Sequence, residues 1–280
     1  MYDCIIINDE LDLLELRLNI LYSFFEKFII IESDHTFSGI KKEYNFEKYS
    51  ERFRNFFPKI RYYKHKGHPI VDGIGAWDNE LTQRNSALDV FYNERSNDNM
   101  LFISDIDEIP KPESLYEAKC LCCKNEGYPI ALELANCLYY FNMVADIPWR
   151  GPFLYNPDKA EEFELIFHTN TFSPTHLRWH ISAIGHETDV KTIKDAGWHL
   201  SCMGGIEQIR IKIRSFAHIE LNRDDILSEE HLLSCMNSGE PYYEKLVKFH
   251  NNLKYIKQSV DFLPDYIKNN LKKYEQYIKY

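Results

Sequence analysis

Short, wholly apolar runs that each stop at a polar, acid-bearing segment constrain this chain most. Cys4-Ile5-Ile6-Ile7 stops at Asn8-Asp9-Glu10, Phe28-Ile29-Ile30-Ile31 at Glu32-Ser33, and Met100-Leu101-Phe102-Ile103 at Ser104-Asp105-Ile106-Asp107-Glu108. Unbroken apolar runs of this length suit strands covered on both faces. Between the first two, Leu11, Leu14, Leu18, Leu21 and Phe25 recur at helical spacing, with Asp12, Glu15 and Arg17 away from the densest apolar stripe. Such a strand–helix–strand unit implies a parallel pair with a right-handed crossover. Residues 60–64 read as another strand and 76–94 as a second long helix. The expected fold is therefore α/β, an open and mainly parallel sheet with helices on both faces. Ligands of such sheets bind outside the carboxyl ends of the strands. Segments 8–10, 32–39 and 104–108 all lie there, so one polar crevice is expected to gather them.

Past residue 128 the pattern changes. Strand-like segments at 129–141, 164–168 and 177–181 alternate with aromatic-rich loops holding Trp149, Trp179 and Trp198, and from about Glu229 the chain reads as helical. Two units are expected, a sheet domain over 1–225 and a helical extension over 226–280 packed on it. The chain carries 33 Lys+Arg against 43 Asp+Glu, a net −10, which excludes general nucleic-acid binding because phosphate neutralisation needs a basic surface. Residues 241–280 hold a local +4, a solvated helical face or a docking surface for an anionic, lipid-linked or membrane acceptor. No run approaches the roughly 20 apolar residues of a membrane helix. Seven cysteines with no leader pattern ahead of them read as reduced thiols, and the expected location is cytoplasmic and soluble.

The sharpest chemical signal is Asp105-Ile106-Asp107 at the end of a buried strand. Carboxylates at i and i+2 of extended chain point the same way, so both can face one cation. A hard ion such as Mn²⁺ or Mg²⁺ takes few protein carboxylates and completes its shell with substrate phosphate oxygens. The alternative is an acidic turn in which Asp107 or Glu108 caps the helix near Pro112. Other constellations are weaker. Cys120, Cys122, Cys123 and Cys137 lack the second pair a structural zinc site needs, and read as buried helical thiols. His176 and His180 lack the adjacent glutamate of a zinc-protease helix, and Pro174 and Trp179 there suit a strand. Neither a P-loop nor a nucleophile-elbow motif occurs.

Several longer motifs, in order, resemble glycosyltransferase family 17, the family of the bisecting β-1,4-mannosyl-glycoprotein β-1,4-N-acetylglucosaminyltransferase. They are Tyr2-Asp3-Cys4 through Leu18, Ile31-Glu32-Ser33-Asp34-His35-Thr36-Phe37-Ser38-Gly39, Gln83-Arg84-Asn85, residues 101–110, Trp149-Arg150-Gly151-Pro152 and Ala196-Gly197-Trp198-His199-Leu200-Ser201. The likeness runs from residue 2 to about 225. It implies a GT-A fold, an inverting mechanism, a divalent metal, a nucleotide-sugar donor (UDP-N-acetylglucosamine in the family) and a glycan acceptor. Asp105 and Asp107 match the family's D-x-D, with Asp107 first choice as metal ligand and Asp105 contributing directly or through the donor's ribose and a water. Asn8, Glu10, Glu32, Ser33 and the loop to Gly39 lie where such a sheet holds the nucleotide. Gln83 and Arg84 sit on a helix that could bring a guanidinium to the diphosphate, unless Arg84 pairs with Asp78 or Glu80 on the same helix.

The second half is expected to supply a base and a third metal ligand. Gly204-Gly205-Ile206-Glu207 opens a helical pattern through Ile209, Ile211 and Ile213. By analogy with the Gly-Gly-acid turn of the β-1,4-galactosyltransferases, Glu207 would be the base; otherwise it only complements the helix dipole. Glu187 and Asp146 are the alternative bases. His218 is expected at the metal and His199 at phosphate or acceptor, although either could be a core histidine. Trp149 and Trp198 offer faces for sugar stacking. Two rival functions use the same features: a nucleotide-sugar hydrolase, and a carbohydrate-binding protein that kept the fold without turnover.

Overall fold

In the computed structural model, residues 1–70, 75–95, 100–159, 173–182, 190–243 and 253–280 are described. The strands among them are β1 (Tyr2–Ile7), β2 (Lys27–Ser33), β3 (Ile60–His65), β4 (Leu101–Asp105), β5 (Glu108–Pro110), β6 (Ile130–Leu138), β7 (Met143–Ala145), β8 (Trp149–Tyr155), β9 (Lys191–Ile193), β10 (Gly197–Ser201) and β11 (Tyr255–Lys257). They form one sheet whose main path is β11-β7-β6-β8-β4-β1-β2-β3, with β5, β9 and β10 attached beside it. The run β3-β2-β1-β4 is parallel throughout. Past β4 the sheet turns, because β8 pairs antiparallel with both β4 and β6. This is the α/β arrangement expected, an open sheet whose central parallel run lies in the first 105 residues, while β9 and β10 pair parallel with β6.

The apolar strands are sandwiched, which explains their composition. On β1, Ile5 and Ile7 join Phe28, Ile30 and Phe102 in one core layer with Leu14, Leu18 and Leu21 of the Leu11–Leu21 helix. Tyr2, Cys4 and Ile6 join Ile29, Ile31, Leu101 and Ile103 in the opposite layer, covered by Ala87, Val90 and Phe91 of the Ala76–Glu94 helix. Period-two alternation thus sends every second residue of a wholly apolar strand to a different core.

Three expectations need correction. Segment 177–181 is not a strand but part of the Pro174–Ser182 helix. Leu177, Trp179 and Ile181 alternate as a strand would, yet the buried stripe is Pro174, Leu177, Arg178 and Ile181 at helical spacing, while Trp179 stands out. Arg17 does not lie away from the core: it is 0% exposed. The region after Glu229 is helical over Glu229–Ser238, but β11 then pairs antiparallel with β7 and short 3-10 turns follow. The segment 164–168 lies outside the described residues.

Candidate active site at the ends of the central strands

The parallel strands end together, and Asp105 closes β4 there. Its Oδ1 accepts from Arg84 Nη1 at 2.7 Å and its Oδ2 from Arg178 Nη2 at 2.7 Å. Arg178 also donates to both oxygens of fully buried Glu108, at 2.9 and 2.6 Å, and the Trp149 indole N–H donates to Glu108 as well. Glu108 Oε2 in turn accepts from the Asp105 backbone N–H at 2.7 Å, closing the turn on itself. Burial alone would raise the Asp105 carboxyl, but the guanidiniums of Arg178 and Arg84 outweigh it and hold the group below the usual carboxylate range.

Asp107 faces the other way. Its Oδ2 accepts from Lys212 Nζ at 2.7 Å and lies 3.8 Å from His199 Nε2, while its carbonyl accepts from the Leu200 N–H at 2.7 Å. Burial would raise this carboxyl too; the Lys212 ammonium foremost brings it below its ordinary value. His199 itself is pushed down, toward the neutral imidazole, by burial. Its Nδ1 is buried without a hydrogen-bond partner among the described residues, and its ring stacks on Trp149 with centroids 4.2 Å apart.

Two spaces meet at this pair. A cavity of about 180 Å³ lies over the strand ends, lined by Asn8, Glu10, Thr36, Phe37, Lys42 and Arg84 among others. A wider cleft of about 720 Å³ opens beside it, walled by Trp77, Trp149, Trp179, Tyr242 and Tyr255. Glu80, Asp105, Asp107, Lys212, Phe216 and His218 line both. The smaller space is suited to a compact polar group and the aromatic cleft to sugar faces.

The expected residues divide. Asn8, Glu10 and Arg84 line the cavity with Asp105 and Asp107, and His199 and Trp149 line the cleft. Arg84 does make the intrahelical pair weighed for it, with Glu80 at 3.0 Å, in addition to Asp105. Glu32 is not at the cavity: fully buried, it accepts from Lys42 Nζ, the Asn45 and Phe46 N–H groups and the Tyr62 hydroxyl, so it staples the following loop. Ser33 is likewise buried and accepts from the His35 N–H; the loop meets the cavity through His35, Thr36 and Phe37 instead. Trp198 is 5% exposed and packs in the core with its N–H on the Phe262 carbonyl, because neighbouring residues of β10 face opposite sides and His199 takes the cleft side. Glu207 is 75% exposed, pairs with Arg210 and lines neither of the two spaces. Asp146 is exposed and lines neither space, and Glu187 lies outside the described residues. Of the C-terminal lysines, Lys268 pairs with Asp265, Lys273 with Glu15, and Lys279 donates to the carbonyls of Met236 and Asn237. No helix among the described residues is long and apolar enough to cross a membrane.

The sequence reading missed Arg178 and Lys212. Arg178 was hidden by the false strand at 177–181. Lys212 had a faint signal, since it follows buried Ile209 by three residues and so flanks the apolar stripe of the Gly205–Ser215 helix.

A divalent ion does not fit the residues as they stand. Both Asp105 oxygens are taken by guanidiniums, and Asp107 Oδ2 by an ammonium that any cation placed there would meet. The expected third ligand, His218, donates through Nδ1 to the Glu220 carboxylate at 2.6 Å and packs edge-on to Trp77. Among the described residues no group of three or more His, Cys, Asp or Glu could hold a metal ion.

The model of "Glycosyltransferase family 17" matches residues 1–278. Curated protein sequences yield no match. Among solved structures, Staphylococcus aureus TarS residues 1–349 in complex with UDP is similar at 12% identity and a TM-score of 0.43, over 89% of this chain and 75% of that one. TarS residues 1–349 in complex with UDP-GlcNAc gives 13% identity and a TM-score of 0.38, over 89% and 74%.

Proposed function

The chain belongs to glycosyltransferase family 17, and from that premise we propose that it moves a sugar from a nucleotide-sugar donor, UDP-N-acetylglucosamine first, to a hydroxyl of a glycan acceptor with inversion. The observation that carries this reading is the junction, at Asp105 and Asp107, of a cavity lined by Lys42, Arg84 and Lys212 with an aromatic cleft. The donor's diphosphate would lie in the cavity beside Arg84, Lys42 and Lys212, and the acceptor sugar in the cleft against Trp149 and Trp77. Attack by the acceptor oxygen forms its bond to the anomeric carbon from the cleft side. The bond from that carbon to the diphosphate oxygen breaks on the cavity side, and the electron pair leaves with the diphosphate.

The acceptor's proton needs a base where the two spaces meet. Three carboxylates line both, and two are committed: Asp105 to two guanidiniums, Asp107 to Lys212. Among the described residues Glu80 makes one ion pair, through Oε1 to Arg84. We assign the base to Glu80. Glu207→Gln is accordingly expected to leave the transfer rate within about threefold of wild type, as for an exposed charge remote from the chemistry; an initial-rate assay checks this, and a loss of 100-fold or more, about 2.7 kcal/mol, would return the base to Glu207.

A thermal-shift panel of nucleotide sugars, followed by assay of free sugar and of transfer to oligosaccharide acceptors, tests the whole reading. A uridine-diphosphate sugar is expected to raise the melting temperature, with acceptor-dependent release of UDP. Release of free sugar that acceptors do not suppress would make it a hydrolase. Glycan binding without any nucleotide effect would make it a binding protein.

A further inference from the structure

The D-x-D pair already has a cation, and it is part of the chain. Lys212 Nζ sits 2.7 Å from Asp107 Oδ2 and 3.1 Å from Ser201 Oγ. Those two bonds use two of the ammonium's three donors, and among the described residues the third has no partner, leaving it for a ligand. The side chain lines the cavity, the aromatic cleft and a third space of about 660 Å³ bounded by Asp9, Glu10 and Arg52, so it stands where all three meet. The ammonium is ion-paired with the buried Asp107 carboxylate, and Glu10 lines the same cavity, so its positive charge is compensated where it stands. The helix that carries it is anchored by Ile209 and Ile213, both fully buried, which fixes the ammonium over the strand ends.

A divalent ion placed on Asp107 would have to displace Lys212 or sit against it, cation to cation. The charges present suit an anion instead. Lys42, Arg84 and Lys212 all line the cavity, and among the described residues Lys212 is held by one carboxylate and one hydroxyl.

We propose that Lys212, rather than a divalent metal, supplies the positive charge that meets the donor's diphosphate, so that nucleotide binding and transfer proceed without metal. The inference rests on the nucleotide-sugar reading above. As the bond from the anomeric carbon to the diphosphate oxygen breaks, that oxygen keeps the electron pair and accepts a hydrogen bond from the ammonium. Lys212 stays protonated throughout. The acceptor's proton goes to Glu80, and the products are the glycoside and free nucleoside diphosphate.

Calorimetric titration of the full chain with UDP, UMP and uridine, in EDTA and in excess Mn²⁺, decides the matter. UDP is expected to bind equally well, within about twofold, in both buffers, since the charge it meets is covalently attached. Lys212→Met is expected to weaken UDP by about 10- to 100-fold in EDTA while leaving uridine unaffected, and Lys212→Arg to keep most of the affinity. UDP binding that appears only with Mn²⁺ overturns the proposal, and the wild-type comparison alone shows this even if a variant fails to fold. So does Lys212→Met that binds UDP in EDTA as wild type does. Failure of all three ligands in both buffers, with the protein folded by circular dichroism, refutes the uridine-nucleotide reading itself and is recognised by the absence of any rescue by metal.

Discussion

Glu80→Gln is expected to lower the transfer rate by about 10²- to 10⁴-fold, the range a positioned general base contributes, while UDP affinity stays within about twofold. Glutamine is the discriminating choice because its amide oxygen can still accept from Arg84 Nη2, the ion-pair partner of Glu80 among the described residues, at 3.0 Å. The guanidinium therefore keeps its place on Asp105, and the cavity side of the site stays built. What disappears is the ability to take a proton at the mouth of the aromatic cleft. Single-turnover rates measured beside calorimetric UDP affinities separate the two roles. Equal losses in rate and in affinity would make Glu80 a residue that positions Arg84. An unchanged rate would move the base elsewhere, with Asp146 the next to be replaced.

Why Glu80 escaped the sequence reading, while Asp105 and Asp107 did not, follows from how each is placed. The aspartates sit directly after an apolar strand, and strand ends are where α/β sheets bind ligands, so local pattern and fold rule agree. The same rule located Asn8, Glu10 and the 35–37 loop. Glu80 is one of several acids on a helix, and nothing in its neighbours shows that this turn of the Ala76–Glu94 helix overhangs β4. Glu32 misled for the opposite reason. It also follows an apolar strand, but its carboxylate is consumed by backbone N–H groups of residues 45 and 46, a demand created by a loop the sequence does not display. Trp198 and His199 were both offered to the site when strand alternation permits only one of them there. The helix at Pro174–Ser182 hid Arg178, whose role depends on Asp105 and Glu108, 73 and 70 residues away.

Arg17→Met is expected to destabilise the chain by about 3–5 kcal/mol, since it strands a buried carboxylate, and the loss should reach the active site. Arg17 donates through Nε and Nη2 to Asp3, both at 2.7 Å, through Nη2 to Ser104 Oγ at 2.6 Å, and through Nη1 to the carbonyls of Asp105 and Glu108. One planar fork thus satisfies a buried acid on β1 and pins both ends of the Asp105–Glu108 turn, a task for which lysine lacks the donors. Urea denaturation measures the cost. Adding Asp3→Leu to Arg17→Met removes the stranded charge and is expected to recover about 2 kcal/mol, while the freed carbonyls keep the remainder lost. A double-mutant cycle with coupling below about 0.5 kcal/mol would deny that the pair acts as a unit. The folded double variant should still bind UDP more weakly than wild type, because Asp105 and Asp107 hang from a turn whose carbonyl anchors are gone. Wild-type affinity in that variant would instead show that Arg84, Arg178 and Lys212 suffice to hold the two aspartates from outside the turn.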